Sequence, residues 1–293
     1  MARKLFCFGF GYTAGVLAQR LAHSDITVVG TRRQPHAGEA VALAVFDSAH
    51  SPGAEALLAG TTHVLISIPP DVDGDPVLRW HAEDLAKLTD LRWIGYLSTI
   101  GVYGDTAGAW VDETSPVRPG NERARRRAKA EGDWRAFGLS HGKRVEIFRL
   151  PGIYGPGRSQ LDAVMAGTAR RIVKPGQVFN RVHVADIAAA LAQAVDFSAD
   201  RRSPSFDVFN VVDNEPAPPQ DVIAYAAGLL GLPPPPLVPF EAADLSPMGR
   251  SFYAENKRVR NDRLTSVFGF VCSYPTYREG LAAIAQPRQP ISI

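Results

Sequence analysis

The stretch Phe8-Gly9-Phe10-Gly11-Tyr12-Thr13-Ala14 restricts the possible folds of this chain more than any other. Before it, Lys4-Leu5-Phe6-Cys7-Phe8 is short, apolar and aromatic-rich, the pattern of a strand buried on both faces. After it, Ala14, Leu17, Ala18 and Leu21 recur at helical spacing and make one apolar helix face. A strand, a Gly-x-Gly-x-x-Ala turn and a helix form the arrangement that receives a dinucleotide pyrophosphate. Gly9 permits the tight turn, Gly11 lets the backbone approach the phosphates, and small Ala14 lets helix and strand pack closely. The helix N-terminus offers N–H groups and a positive dipole end to the anion. Gly9, Phe10, Gly11, Tyr12, Thr13 and Ala14 are therefore the expected pyrophosphate contacts. The competing reading is a glycine-rich connection that binds nothing.

Ile26-Thr27-Val28-Val29-Gly30 reads as the second strand, and Gly30-Thr31-Arg32-Arg33 lies where the adenosine ribose is gripped. An NAD-preferring site carries Asp or Glu about ~20 residues past the glycines. Here there is no acid, and an Arg pair can fork onto a 2′-phosphate that a carboxylate would repel. Thr31, Arg32 and Arg33 thus favour NADP, with NAD as the alternative; two solvated loop arginines are the plain reading. Val41–Phe46 is a third strand ending at Asp47, a partner for the adenine amino group or an ordinary turn residue. Ser51-Pro52 has the pattern of a short helix start. Thr62–Ile68 is a fourth strand, and Ile68 and Pro69 would pass the nicotinamide-side ribose. Asp75-Pro76 opens a helix with Leu78, His81, Leu85 and Leu88 at helical spacing, His81 being read as a half-buried helix residue. Trp93–Leu97 and Val145–Leu150 are the fifth and sixth strands, with Pro151 and Ile153 beside the cofactor. Strands alternating with helices imply α/β architecture: a Rossmann-type, doubly wound parallel sheet with ligands at the C-terminal strand ends.

The 293 residues allow one large domain or two unequal ones. A net charge of +2 argues against nucleic-acid or membrane binding as the role of the whole chain. The two cysteines, Cys7 and Cys272, are too far apart in sequence to suggest a disulfide framework or thiolate metal site. No apolar run approaches the ~20 residues of a membrane helix. Met1-Ala2-Arg3-Lys4 runs into the first strand without a signal-peptide core, so a cytoplasmic location is expected.

Several further segments occur in a telling order: Ser98-Thr99-x-x-Val102-Tyr103-Gly104, then Arg149-Leu150-Pro151-Gly152-Ile153-Tyr154-Gly155-Pro156-Gly157, then Arg181-Val182-His183-Val184-Ala185-Asp186. With the glycine-rich turn they resemble the extended short-chain dehydrogenase/reductase family, also called the NAD-dependent epimerase/dehydratase family, over nearly the whole chain. Phe8 and Ala14 stand at the outer glycines of the family's first motif, as in its atypical branch. The resemblance implies Rossmann portions at 1–157 and about 177–213, and a smaller C-terminal substrate-binding cap, interleaved with them, at about 158–176 and 214–293. It implies an NAD(P)-dependent oxidoreductase or epimerase acting on a sugar nucleotide or another small carbonyl or hydroxyl compound, as a monomer or homodimer.

Family members pair a Ser or Thr with Tyr-x-x-x-Lys on the next helix. Thr99 matches the hydroxyl residue. The helix reads Asn121-Glu122-Arg123-Ala124-Arg125-Arg126-Arg127-Ala128-Lys129-Ala130-Glu131 and holds no tyrosine. One register puts Arg123 and Arg127 at the Tyr and Lys places; the other puts Arg125 and Lys129 there. Arginine, with a pKa above ~12, cannot shuttle a proton near neutrality, although it can hold a ribose, a phosphate or an oxyanion. The candidate catalytic residues are Thr99, Arg127, Lys129 and, as a substitute hydroxyl, Tyr103, with Tyr154 as another. An NADP-binding sensor without turnover is the alternative function. So many positive charges would repel their copies across the family's usual helical dimer interface.

In the C-terminal part, Arg158, Arg170 and Arg171 are candidates for an anionic group. Val182-His183-Val184 is expected to rejoin the sheet, His183 being read as a hydrogen-bonded core residue, and Asp186 to cap the following helix. Arg250–Arg260 is expected to be a loop at the cleft mouth, with Tyr253, Lys257 and Arg258 as substrate contacts. If the arginine pair reads the 2′-phosphate, Arg32→Ala with Arg33→Ala narrows the ratio of NADP to NAD affinity in paired calorimetric titrations. Equal loss for both cofactors would contradict that role.

Overall fold

A computed structural model of the chain describes residues 3–34, 38, 40–47, 54–198 and 203–286. Seven strands form the central sheet: β1 (Arg3–Phe8), β2 (Ile26–Arg32), β3 (Ala42–Val45), β4 (His63–Ile66), β5 (Trp93–Thr99), β6 (Val145–Leu150) and β7 (Phe206–Asn210). Their order is β7-β6-β5-β4-β1-β2-β3, and every neighbouring pair is parallel. This is the doubly wound α/β topology, in which the chain reverses direction of travel between β1 and β4. The crevice at that switch point, beyond the C-terminal strand ends, is where such sheets bind ligands.

The buried run in β1 explains its central place. Leu5 and Cys7 face one layer with Leu17, Leu21 and Leu191, whereas Phe6 and Phe8 face the other with Val77 and Trp134. A strand apolar on both faces needs helices on both sides, and it has them. The Pro76–Lys87 helix starts where Asp75 Oδ1 accepts the amides of Val77 and Leu78 at 2.9 and 3.1 Å. Asp75 Oδ2 also accepts the Trp134 indole N–H at 3.2 Å, tying this helix to the Glu122–His141 helix. The latter begins at Asn121, whose side chain accepts the Ala124 amide, and ends at left-handed Gly142.

Between that helix and the sheet lies a buried ion pair. Arg149 Nη2 donates to Glu131 Oε2 at 2.6 Å and its Nε to Oε1 at 3.1 Å, while Ser98 Oγ donates to the same Oε1 at 2.5 Å. Both charged side chains are under one-tenth exposed, so each depends on the other for its solvation.

Several expectations need correction. Arg181–His183 does not rejoin the central sheet; it pairs in parallel with Gly152–Tyr154 in a two-stranded sheet above it. Asp186 does not cap the Val184–Ser198 helix but accepts the amides of Ser273 and Tyr274 at 2.8 and 3.0 Å, pinning a distant loop. The segment 250–260 is partly ordered: a helix spans Pro247–Tyr253, and Arg258–Val259 pairs with Trp110–Val111. His81 is buried rather than half-buried, packed against Phe8 and Phe46. The helix start assigned to Ser51-Pro52 lies outside the described residues. Among the described residues no helix is long and apolar enough to cross a membrane.

Glu131→Ala strands the Arg149 guanidinium in the interior and is expected to cost about 3 kcal/mol or more in urea unfolding. Replacing both residues by methionine should cost much less; an alanine variant within about 1 kcal/mol of the parent would contradict this account.

Candidate functional site

The glycine-rich turn connects the end of β1 to the Tyr12–Leu21 helix. Gly9 sits at φ +88°, and a Cβ there would meet Ile68 Cγ1 at 2.8 Å, so both backbone conformation and neighbour demand glycine. Thr31 braces the turn: its Oγ1 accepts the Gly9 amide at 3.1 Å and its carbonyl the Phe10 amide at 2.6 Å. The Gly11 amide closes onto Gly9 O at 2.9 Å. The helix has no side-chain cap, and the amides of Tyr12, Thr13 and Ala14 meet no acceptor among the described residues. A Cβ at Gly11 would touch nothing within 4 Å, so its outer side is open. Open backbone, uncapped amides and the helix dipole fit a diphosphate; no side chain of the described residues plugs the place.

This geometry separates the expected cofactor residues. The amides of Gly9 and Phe10 are already engaged, Phe10 is buried, and Thr31 is wholly buried, so Thr31 shapes the turn rather than facing the crevice. Ala14 is packed in the core and offers only its amide. Arg33 and Asp47 are exposed beyond β2 and β3, and Arg32 is half-buried. Ile68 lies against Gly9, while Pro69, Pro151 and Ile153 line the adjoining cleft. Tyr12 links the two halves: its hydroxyl donates to Pro156 O at 3.0 Å, and a Cβ on Gly155 would lie 2.4 Å from that oxygen.

The cleft, about 700 Å³, continues from Thr99 and Pro69 to the Pro247–Tyr253 helix, a volume suited to a small molecule. Thr99 Oγ1 accepts the Gly101 amide at 3.1 Å, leaving its hydrogen to donate elsewhere. Arg127 reaches the same region, Nη1 donating to Leu97 O at 2.6 Å and to the Tyr96 hydroxyl at 3.2 Å. Arg123 lines the cleft one helical turn earlier and makes no ion pair with any described residue.

Two catalytic candidates fall elsewhere. Lys129 points away from the cleft: 70% exposed, it pairs with Asp133 at 2.6 Å beside a separate small hollow. Arg125 likewise pairs outward with Glu122. The cause is helical phase, because residues two positions apart face nearly opposite directions. Tyr103 is 1% exposed, its hydroxyl donating to Asn210 Oδ1 at 2.8 Å and its ring under the Arg149 guanidinium, so it is a core residue. The Tyr154 ring lines the cleft, but its hydroxyl points to Thr276 O; burial pushes its pKa up. His183 is buried against Tyr274, its Nδ1 accepting the Ala185 amide, and burial lowers its pKa to about 4.

In the cap, Arg158 lines the cleft, whereas Arg170 binds Asp244 O and Arg171 binds Gln220 O and Pro235 O. Arg258 is turned to Gly108 O, away from the site; Tyr253 and Lys257 line it. Tyr253-x-x-x-Lys257 has the Tyr-x-x-x-Lys spacing of the family that the sequence resembles, but the helix ends at Tyr253, so the two are not stacked on a helix face. Sequence reading missed Arg181 as a cleft residue. Its signal was its place in a motif, which revealed a strand but not which way that strand's side chains point.

The seven-stranded parallel sheet flanked by helices matches the fold of Rossmann-type epimerase and dehydratase structures. MoeE5 in complex with UDP-glucuronic acid and NAD is similar over 97% of both chains, at a TM-score of 0.77 and 20% identity. The dTDP-glucose 4,6-dehydratase of Bacillus anthracis, in complex with NAD, matches over 97% of this chain and 96% of its own, at 0.77 and 14% identity. A functionally unknown conserved protein from Silicibacter pomeroyi is 48% identical over 97% of this chain and 98% of its own, at a TM-score of 0.86. This chain belongs to the same family as that protein. A curated relative, a 3-diazoavenalumate denitrifying reductase from Streptomyces, is 28% identical over 148 residues, and the matched part is 46% of this chain and 45% of the relative's length. No protein-family model matches the chain.

Gly11→Asp places bulk and a negative charge at the open side of the turn. It is expected to abolish NADP binding without lowering the thermal midpoint by more than a few degrees; unchanged affinity in a titration would reject the assignment.

Proposed function

We propose that this protein is an NADP-preferring oxidoreductase of the extended short-chain dehydrogenase/reductase type, acting on a small carbonyl or hydroxyl compound. The observation that carries the reading is the uncapped N-terminus of the Tyr12–Leu21 helix, whose preceding turn packs at Gly9 against Ile68, next to a substrate-sized cleft lined by Pro69 and Thr99. Tyr12, Thr13 and Ala14 would hold the pyrophosphate by their amides, Arg32 and Arg33 the 2′-phosphate, and Pro69, Pro151 and Ile153 the nicotinamide end. The nicotinamide supplies or takes a hydride when bound. On this side of the reaction Thr99 donates a hydrogen bond to the substrate oxygen, and the Arg127 cation, anchored on Leu97 O, stabilises negative charge developing there. Arg123 stands beside them in the cleft in place of a phenol. It cannot give up a proton, so the proton comes from water admitted to the cleft.

That same arginine favours a second reading, an NADP-bound sensor that never turns over. Loss of NADPH absorbance across a broad panel of carbonyl compounds distinguishes them. The oxidoreductase predicts turnover with at least one compound and a fall in kcat of about a hundredfold in Arg127→Met. Tight NADPH binding with no oxidation by any member of the panel would overturn it in favour of the sensor.

A further inference from the structure

The cleft is far more basic than the chain. Its walls carry Arg123, Arg126, Arg127, Arg158, Arg181 and Lys257, six cations, against Glu255 as the one acid, in a protein whose net charge is +2. These cations are not equivalent. Arg123 and Arg158 are exposed, so water already solvates them and a ligand gains little there. Lys257 is neutralised by Glu255 at 2.6 Å.

Arg181 differs from all of these, because it is only 6% exposed yet lines the cleft. Its Nη1 donates to Phe179 O at 2.9 Å and to Ala217 O at 3.2 Å, which fixes the guanidinium plane. Nε and Nη2 meet no acceptor, and no carboxylate stands within ion-pair distance of the group, among the described residues. The acid that acts on it electrostatically is Asp213, itself 2% exposed. Burial raises the Asp213 carboxyl to about 8, which weakens it as a counter-ion, and its Oδ2 makes no hydrogen bond among the described residues. A largely buried guanidinium held only by backbone carbonyls, with no carboxylate in ion-pair distance among the described residues, leaves its charge uncompensated, and an anion arriving from the cleft would offset it. Tyr253 lies within electrostatic reach of Arg181, and its hydroxyl has no partner among the described residues. Its ring meets Phe179 edge-on at 5.1 Å, and both residues line the cleft.

We propose that Arg181, assisted by the Tyr253 hydroxyl, is the anchor for a carboxylate or phosphate group on a substrate whose body is apolar and packs against Phe179 and Tyr253. The proposal deepens the oxidoreductase reading and rests on it for the word substrate, but anion binding is measured without turnover. Arg181 touches the substrate away from the reacting carbon and selects it by charge.

The test is calorimetric titration of the protein, alone and saturated with NADPH, with three probes. These are phenylpyruvate, phenyl phosphate, and phenylacetone, which keeps the body of phenylpyruvate but has no charge. One anion or both should bind at least about tenfold more tightly than phenylacetone, and the tighter of the two identifies the head group. Arg181→Gln should reduce that preference by about tenfold to a hundredfold, Arg181→Lys should restore part of it, and NADPH affinity should not move. Tyr253→Phe removes a hydroxyl with no described protein partner. It should weaken anion binding about threefold or more, and so keeps the test decisive if Arg181→Gln does not fold. Phenylacetone binding as tightly as both anions, no anion binding at millimolar concentration, or a preference unchanged in the folded variants would each overturn the proposal. Failure of NADPH itself to bind would remove the oxidoreductase reading, while the anion preference of the cofactor-free protein still decides this one.

Discussion

Two hydrogen bonds from one residue of β2 govern the rest of the site. Thr31 takes the Gly9 amide on its hydroxyl and the Phe10 amide on its carbonyl, so the chain leaving β1 must turn sharply and enter its helix uncapped. Because β1 lies between β2 and β4 in the sheet, that turn opens directly onto the crevice where strand order reverses. Burial of β1 on both faces fixes the strand, and the strand fixes where the amides of Tyr12, Thr13 and Ala14 point. Everything downstream depends on this: Tyr12 reaches across to Pro156, the loop after β6 follows, and the cleft forms between that loop and the cap.

The cleft then separates two kinds of positive charge. Near Thr99, Arg127 is tied to the backbone of β5 through Leu97 O and is a fixed cation at that end of the cleft. In the two-stranded sheet that Arg181–His183 forms with Gly152–Tyr154, Arg181 is buried with no carboxylate in ion-pair distance among the described residues. The near-neutral chain hides this concentration: Arg126 and Lys257 in the cleft pair with Glu122 and Glu255, whereas Arg123, Arg127, Arg158 and Arg181 make no ion pair among the described residues.

Much of the fold was legible because its signals are local. The double-sided burial of β1, the Asp75-Pro76 helix start and the Val145–Leu150 strand follow from spacing and caps within a few residues. The site was legible only where the backbone defines it, at the glycines. Side-chain candidates were less secure: Lys129 and Arg127 differ by half a helical turn, and the phase of a helix charged nearly all round is not visible in its sequence. Tyr103 looked available at a strand end, yet Asn210 and Arg149, far along the chain, draw it into the core. Arg181 and Asp186 carried the opposite ambiguity. Their motif indicated a strand and a helix, while their partners, at Ala217 and at Ser273 and Tyr274, come from segments that only the folded chain brings near.

The central claim is that the first amides of the Tyr12–Leu21 helix receive a diphosphate. A crystal structure of the protein grown with NADP tests it most directly. The account predicts pyrophosphate oxygens within hydrogen-bond distance of the Tyr12 and Thr13 amides, with the nicotinamide ring between Pro151 and Thr99. A cofactor bound elsewhere, or those amides covered by the protein's own side chains with NADP in excess, would contradict it.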